Sequence, residues 1–312
     1  MTMQLEIGTN RLSIHGVDAF DLANTLTCGQ AFRWWRVGNA YHGVVKGTLL
    51  VAEWRDESLH VEDHSVTKLC PDDFVGLVFD YFGLSDDHAQ RERSLCKRDR
   101  IVAEAIRYAP GIRILRQDPW ECLISFIISA RNYIPSIMST IVRLCERFGE
   151  RVSSDEYEEL FGTRRYAFPS ASALSDGSVE SIESCGASYR AKYIYGMAQL
   201  VTTGGADLDL ISKQPYEEAR ESLMSLYGVG PKIAECVLLY SMGRYEAFPI
   251  DTWISRVMRF LYLGNPRASV REMHEFARQR FEDLAGFAQQ YLFHWARTAK
   301  GAYLRTLEQN SR

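Results

Sequence analysis

The chain carries no C-x2-C pair. Its seven cysteines, Cys28, Cys70, Cys96, Cys122, Cys145, Cys185 and Cys236, stand singly along the sequence. An odd, dispersed set supplies neither a disulfide framework nor a zinc site, and it excludes a clustered four-cysteine iron–sulfur centre. Long apolar runs are lacking too: no stretch approaches the roughly 20 residues of a membrane-spanning helix. The opening segment MTMQLEIGTN has no basic region leading into a hydrophobic one, so no signal peptide is expected and the expected location is cytoplasmic, or nuclear in a eukaryote. Positive charge is not in excess. Lys and Arg number 36 against 40 Asp and Glu, a net charge of −4. Whole-molecule attraction to polyanions is therefore weak, although a local basic patch can still neutralise phosphates. No internal repeat or low-complexity segment is present.

What is present is a chain of 312 residues, 46% hydrophobic and 24% charged, long enough for two domains with a sizeable core. Up to about residue 65 the sequence reads as β structure. LEIGTNRLSI, AFRWWRVGN, AYHGVVKGTLLVAEWRD and SLHVED are short, aromatic and β-branched, with DAFDLANTLTCGQ as a short helix between the first two. The charge-rich run SDDHAQRERSLCKRDRI reads as a connector. Helical patterns follow to the end, with breaks at Pro110 and Gly111, Phe168 and Pro169, Gly204 and Gly205, and Gly264 to Pro266. The expectation is an α+β protein, with an N-terminal antiparallel sheet domain (residues 1–110) packed against a mostly helical domain (residues 111–312).

The stretch at residues 226–256, LYGVGPKIAECVLLYSMGRYEAFPIDTWISR, organises the rest. Upstream, PYEEARESLMSLYG is a helical pattern with Leu223, Leu226 and Tyr227 on one face. Gly228 and Gly230 interrupt it, Pro231 suits the first turn of a new helix, and Ile233, Val237 and Tyr240 keep helical spacing toward Met242. Such a turn brings backbone close to a ligand, and the unpaired N–H groups of the new helix suit a phosphate. Taken alone, it is as readily an ordinary helical hairpin. Lys232 stands in the first turn, where the helix dipole opposes a cation; it is either solvated or held there for its amine, a potential nucleophile. Asp251 has a structural explanation as the N-cap of a third helix. The helix from 232 to 242 advances roughly 16 Å, and an extended GRYEAFPI can retrace on the order of 26 Å. Lys232 and Asp251 can therefore face one cleft.

GVGPKIAEC followed by FPIDTWISRV resembles the helix-hairpin-helix DNA glycosylases and, more narrowly, the 8-oxoguanine DNA glycosylase/abasic-site lyase family. The resemblance implies Lys232 as nucleophile and Asp251 as the essential carboxylate. It implies Gly228, Val229 and Gly230 as a phosphate-binding hairpin. CGQAFRWW is similar to the family's GQ-x-FRW signature, whose glycine, here Gly29, offers a carbonyl to the N7 hydrogen that only the oxidised base possesses; at that atom guanine accepts and 8-oxoguanine donates. GASYRAKY matches a family motif in which the tyrosine, Tyr189, wedges into the base stack and the arginine, Arg190, meets the unpaired cytosine. Spacing alone leaves both as ordinary surface residues. In AGFAQQYLF the resemblance has Gln289 reading the flipped base and Phe293 stacking on it, with Cys236 on the other face; a Gln-x3-Phe pair is otherwise simple packing.

The chain also departs from the family. Arg131 stands where an asparagine contacts the orphaned cytosine, with Asn132 as another candidate. Ser136 replaces an arginine of vertebrate-type members, and Trp253 replaces a phosphate-contacting histidine. The first two departures imply looser opposite-base selectivity. The implied partner is damaged double-stranded DNA, bound by a monomer associated with the nucleoid or the nucleus, with no cofactor, no metal and no membrane. Two rivals remain from sequence: a glycosylase for an alkylated base, whose relatives generally lack the hairpin lysine, and a non-catalytic DNA-binding module, which has no use for Lys232 and Asp251 together.

Overall fold

The computed structural model describes residues 3–310. The period-two alternation of the first third builds six strands: β1 (Gln4–Ile7), β2 (Arg11–His15), β3 (Trp34–Val37), β4 (Ala40–Val45), β5 (Thr48–Arg55) and β6 (Ser58–Asp63). They form one sheet of order β1-β2-β6-β5-β4-β3, antiparallel throughout. The two-residue turns at 46–47 and 56–57 have positive φ at both positions, the primed geometry that matches strand twist. Alternation then sorts the side chains by face. Leu50, Ala52, Leu59 and Val61 pack with Phe74, Val78 and Phe82 of the helix Pro71–Phe82. Val44 and Leu49 point to the other side, against Tyr157. The helix expected between β2 and β3 is Leu22–Thr27, capped by Asp21.

The charge-rich run is not a simple connector. It folds into the helices His88–Arg98 and Arg100–Tyr108. Leu95, Val102, Ala105 and Ile106 face the large helical core, most of the charges are solvated, and Glu92 is held inward by the Gly111 N–H at 2.7 Å. Asp99 separates the two helices and caps the second through the Ile101 and Val102 N–H groups, each at 2.9 Å.

Helical structure continues to Asn310, interrupted at each expected break. The apolar stretch after residue 118 divides into Pro119–Ile128 and Ile134–Phe148, and the loop between them carries Arg131 and Asn132. The sheet and helical parts meet at Gln30, which is fully buried. Its amide donates to the Thr25 and Arg113 carbonyls at 2.9 and 2.8 Å and accepts the Leu115 N–H at 2.9 Å. The Gly-Gln signature thus joins a site glycine to a structural clamp. Among the described residues no helix is long and apolar enough to cross a membrane.

Candidate active site

The first hairpin helix is Tyr216–Ser225, and the second, Pro231–Ser241, begins on proline. Because the first helix stops at Ser225, Tyr227 leaves the buried face that holds Leu223 and Leu226 and is 62% exposed. It packs edge-on to Tyr193 at 4.8 Å. Gly228 has φ +89, and a Cβ there would lie 2.8 Å from the Tyr193 ring, so this position requires glycine. Val229 is buried in the helical core. Around Gly230 a Cβ would meet nothing within 4 Å, which leaves the backbone at the helix start open to a ligand.

Lys232 leaves the first turn of the second helix and reaches back to the helix Pro119–Ile128. Its Nζ lies 3.1 Å from the Ser129 Oγ and 4.7 Å from the centre of the Phe126 ring. Asp251 caps the helix Thr252–Val257 by accepting the Ile254 N–H at 2.8 Å. It also lines the same cavity as Lys232, so capping the helix does not remove it from the site. Burial pushes the Asp251 carboxyl above the usual carboxylate range, against the Ile254 N–H and the charge of Lys232, which both favour the ionised form.

The cavity has a volume of about 550 Å³. Gly29, Phe32 and Phe293 also line it, together with the loop carrying Arg131 and Asn132. Gly29 has φ +93, and a Cβ on it would stand 3.2 Å from Phe293 Cε1 and 3.3 Å from Ile134 Cδ1. Left-handed backbone and close approach both select glycine here. Gln289 and Cys236 are buried and absent from the lining. The Gln289 amide donates to the Pro249 carbonyl at 3.1 Å and accepts the Tyr240 hydroxyl at 3.4 Å. Burial raises the Cys236 thiol to about 11, so it stays protonated.

Two residues expected at the opposite strand have backbone partners. Arg190 is only 7% exposed. Its guanidinium donates to the Ala130, Arg131 and Ala187 carbonyls and clasps the loop at 130–133 to the turn before the helix Ala191–Thr202. Asn132 folds back on its own loop, donating to the Ile128 carbonyl at 3.3 Å and accepting the Tyr133 N–H at 2.9 Å. Arg131, at φ +50, is exposed, as is Tyr189, whose hydroxyl donates to the Ala130 carbonyl at 3.3 Å.

Sequence reasoning missed Ser129, Phe126 and Tyr133, the last of which is 68% exposed at the rim. The only local signal for the first two is their three-residue spacing at one helix end. A second cavity of about 560 Å³ lies beyond the hairpin, beside Tyr216, Arg220 and Glu235. The Glu235 carboxylate there is taken up by the Tyr216 hydroxyl, the Arg220 guanidinium and the Phe248 N–H. Among the described residues no group of three His, Cys, Asp or Glu side chains could hold a metal ion.

Residues 124–283 match the family model described as HhH-GPD superfamily base excision DNA repair protein, and residues 13–123 match that of the 8-oxoguanine DNA glycosylase N-terminal domain. The chain belongs to the HhH-GPD superfamily and, within it, to the 8-oxoguanine DNA glycosylase family. It is 31% identical to the N-glycosylase/DNA lyase OGG1 of Arabidopsis thaliana over 86% of this chain and 75% of that protein. It superposes with a TM-score of 0.88 on the Clostridium acetobutylicum 8-oxoguanine glycosylase/lyase in complex with double-stranded DNA containing cytosine opposite 8-oxoguanine. That pair is 34% identical, with 95% of this chain and 98% of the other covered. For MBOgg1 in complex with a low-affinity DNA ligand the TM-score is 0.87 at 39% identity, covering 95% and 99%.

Proposed function

We propose that this protein excises 8-oxoguanine from duplex DNA and then nicks the strand, with Lys232 as nucleophile and Asp251 as the essential carboxylate. One observation carries the reading: an amine and a half-buried carboxyl share a cavity with Gly29 and Phe293, which approach closely enough that a methyl group on Gly29 would crowd the ring. With the damaged nucleotide turned out of the stack, the neutral Lys232 amine adds to C1′ as the C1′–N9 bond breaks. The electron pair of that bond leaves with the base. Asp251, as carboxylate, offsets the positive charge developing on the sugar and can accept the proton that the amine gives up. The sugar ring opens to an imine. Loss of a C2′ proton then expels the 3′ phosphate, and hydrolysis of the imine frees Lys232.

For recognition, the Gly29 carbonyl accepts the N7 hydrogen unique to the oxidised base, Phe293 stacks on one face, and Cys236 and Gln289 back the slot from behind its lining. Gly228 and Gly230 present N–H groups to a phosphate, while Val229 holds the turn between them, its N–H donating to the Leu226 carbonyl at 3.0 Å. Tyr189, Arg190, Arg131 and Asn132 face the gap left in the duplex. The protein acts as a monomer at the nucleoid or in a nucleus.

Borohydride trapping on an 8-oxoguanine·cytosine duplex tests this, with guanine·cytosine as control. The wild-type protein is expected to give a covalent adduct on the lesion duplex alone, and Lys232→Gln none while still binding it. Base release without an adduct means that Asp251 activates water instead. Neither adduct nor release means a different lesion or a non-catalytic DNA-binding protein.

A further inference from the structure

A lysine nucleophile on a free tether is mostly misdirected, because its four-carbon stem samples many rotamers and few aim at the reacting carbon. Here one helix end restrains it. Phe126 and Ser129, three residues apart, fall on the same side of the last turn of Pro119–Ile128. Between them they contact the Lys232 amine, at 4.7 Å from the ring centre and 3.1 Å from the hydroxyl. Phe126 is itself fixed, stacked on Tyr240 at 5.5 Å with planes 17° apart and edge-on to Phe32 at 5.5 Å. Phe126, Ser129, Lys232 and Asp251 all line one cavity.

The hydrogen-bond inventory sets the direction of the Ser129 contact. A hydroxyl has one proton to donate. The Ala130 N–H bonds to the Ile127 carbonyl, so the Phe126 carbonyl, one of the unpaired groups of the helix end, takes the Ser129 hydroxyl at 2.7 Å. Toward Lys232 the Ser129 oxygen is left only to accept. A neutral amine held through one of its own N–H bonds keeps its lone pair free, whereas a hydroxyl donating to it would occupy that lone pair. We infer that Ser129 is a positioning residue, which orients the Lys232 amine with its lone pair open to the cavity. This rests on Lys232 being the nucleophile proposed above.

The test compares wild type, Ser129→Ala and Ser129→Thr under single-turnover conditions, by cyanoborohydride trapping on an 8-oxoguanine·cytosine duplex and on an abasic duplex. Duplex affinity is measured alongside. Ser129→Ala is expected to slow trapping about 10- to 100-fold on both duplexes, the size of loss a misplaced reacting group produces. Affinity stays within about twofold, because the loss lies in the reaction rather than in binding. Ser129→Thr keeps the hydroxyl and retains most of the rate. Two results overturn the inference: alanine trapping as fast as wild type, or alanine and threonine failing alike together with lost affinity, which marks packing at the helix end. If wild type traps the abasic duplex but not the lesion duplex, the substrate reading fails while Ser129 is still judged on the abasic one. If wild type traps neither, Lys232 is not the nucleophile and both fall.

Discussion

Gly29→Ala adds one methyl group at the cavity wall beside Phe293 and Ile134, and its consequences for stability and for chemistry separate. The added carbon would lie 3.2 Å from Phe293 Cε1 and 3.3 Å from Ile134 Cδ1, inside the usual carbon contact of about 3.5–4.0 Å. Both neighbours are side chains, which can yield by a few tenths of an ångström. The backbone at φ +93 cannot yield so easily; left-handed geometry costs an alanine about 1–2 kcal/mol, offset by roughly 0.5–1 kcal/mol of chain entropy that glycine loses on folding. The net destabilisation is about 1 kcal/mol, a fall in Tm of about 1–2 °C for a chain this long. The chemistry suffers more. The ring that must move is the one proposed to stack on the flipped base, so base release should drop at least about tenfold, as it does when a fitted pocket is disturbed by a methyl group. An abasic substrate has no base to seat. The assay therefore sets 8-oxoguanine release against nicking of an abasic duplex at equal protein concentration. The expected result is loss of the first with the second within about twofold of wild type. Parallel loss of both, or loss of neither, would refute the assignment of the Gly29 carbonyl and the Phe293 ring to recognition of the base.

Asp251→Asn separates activity from stability. Burial holds the folded carboxyl above its usual range, so the stability it contributes is fully present below the unfolded value and is lost as pH rises through the folded one. Asparagine still caps the Ile254 N–H without a buried charge. The variant should be inactive, should match wild type in melting temperature below about pH 4, and should melt higher at neutral pH; a lower melting temperature at neutral pH contradicts the burial argument. Ser188 sits at φ 54, ψ −145, a region essentially reserved for glycine, at a cost of about 1–3 kcal/mol. Less the entropy of an added glycine, Ser188→Gly should gain about 1 kcal/mol and raise Tm by about 1–2 °C. An unchanged or lowered Tm in calorimetry would show that the turn stores no strain.

The strands were legible because one physical signal, alternation of apolar and polar residues, governs both local conformation and burial: Val44 and Leu49 leave one face while Leu50 and Ala52 enter the other. The run at residues 85–101 was misread because its charge content masks a narrow apolar stripe. Leu95, Val102 and Ile106 are enough to dock two helices, and helical periodicity outweighs mean polarity when one face is buried. The misplaced Tyr227 has a smaller cause. The helix ends at Ser225, about one turn before Gly228.

The site was legible wherever a residue's backbone requirement and its chemistry coincide. Gly29 and Gly228 need left-handed backbone, and Asp251 caps a helix that begins at the cavity; each leaves a local trace. Ser129 and Phe126 leave only a three-residue spacing shared by most helical pairs, because what matters about them is the return of Lys232 from about a hundred residues further along the chain. Arg190 shows a further limit. A motif states which residue type stands at a place and says nothing of its competing partners. Next to the carbonyls of a tight loop, a guanidinium takes them, and Arg190 holds Ala130 and Arg131 in this way. To meet a cytosine edge it must exchange those bonds for others of similar strength. If Arg190 meets the opposite base as proposed, the contact would add little affinity and would act mainly by penalising a base that cannot replace the bonds given up.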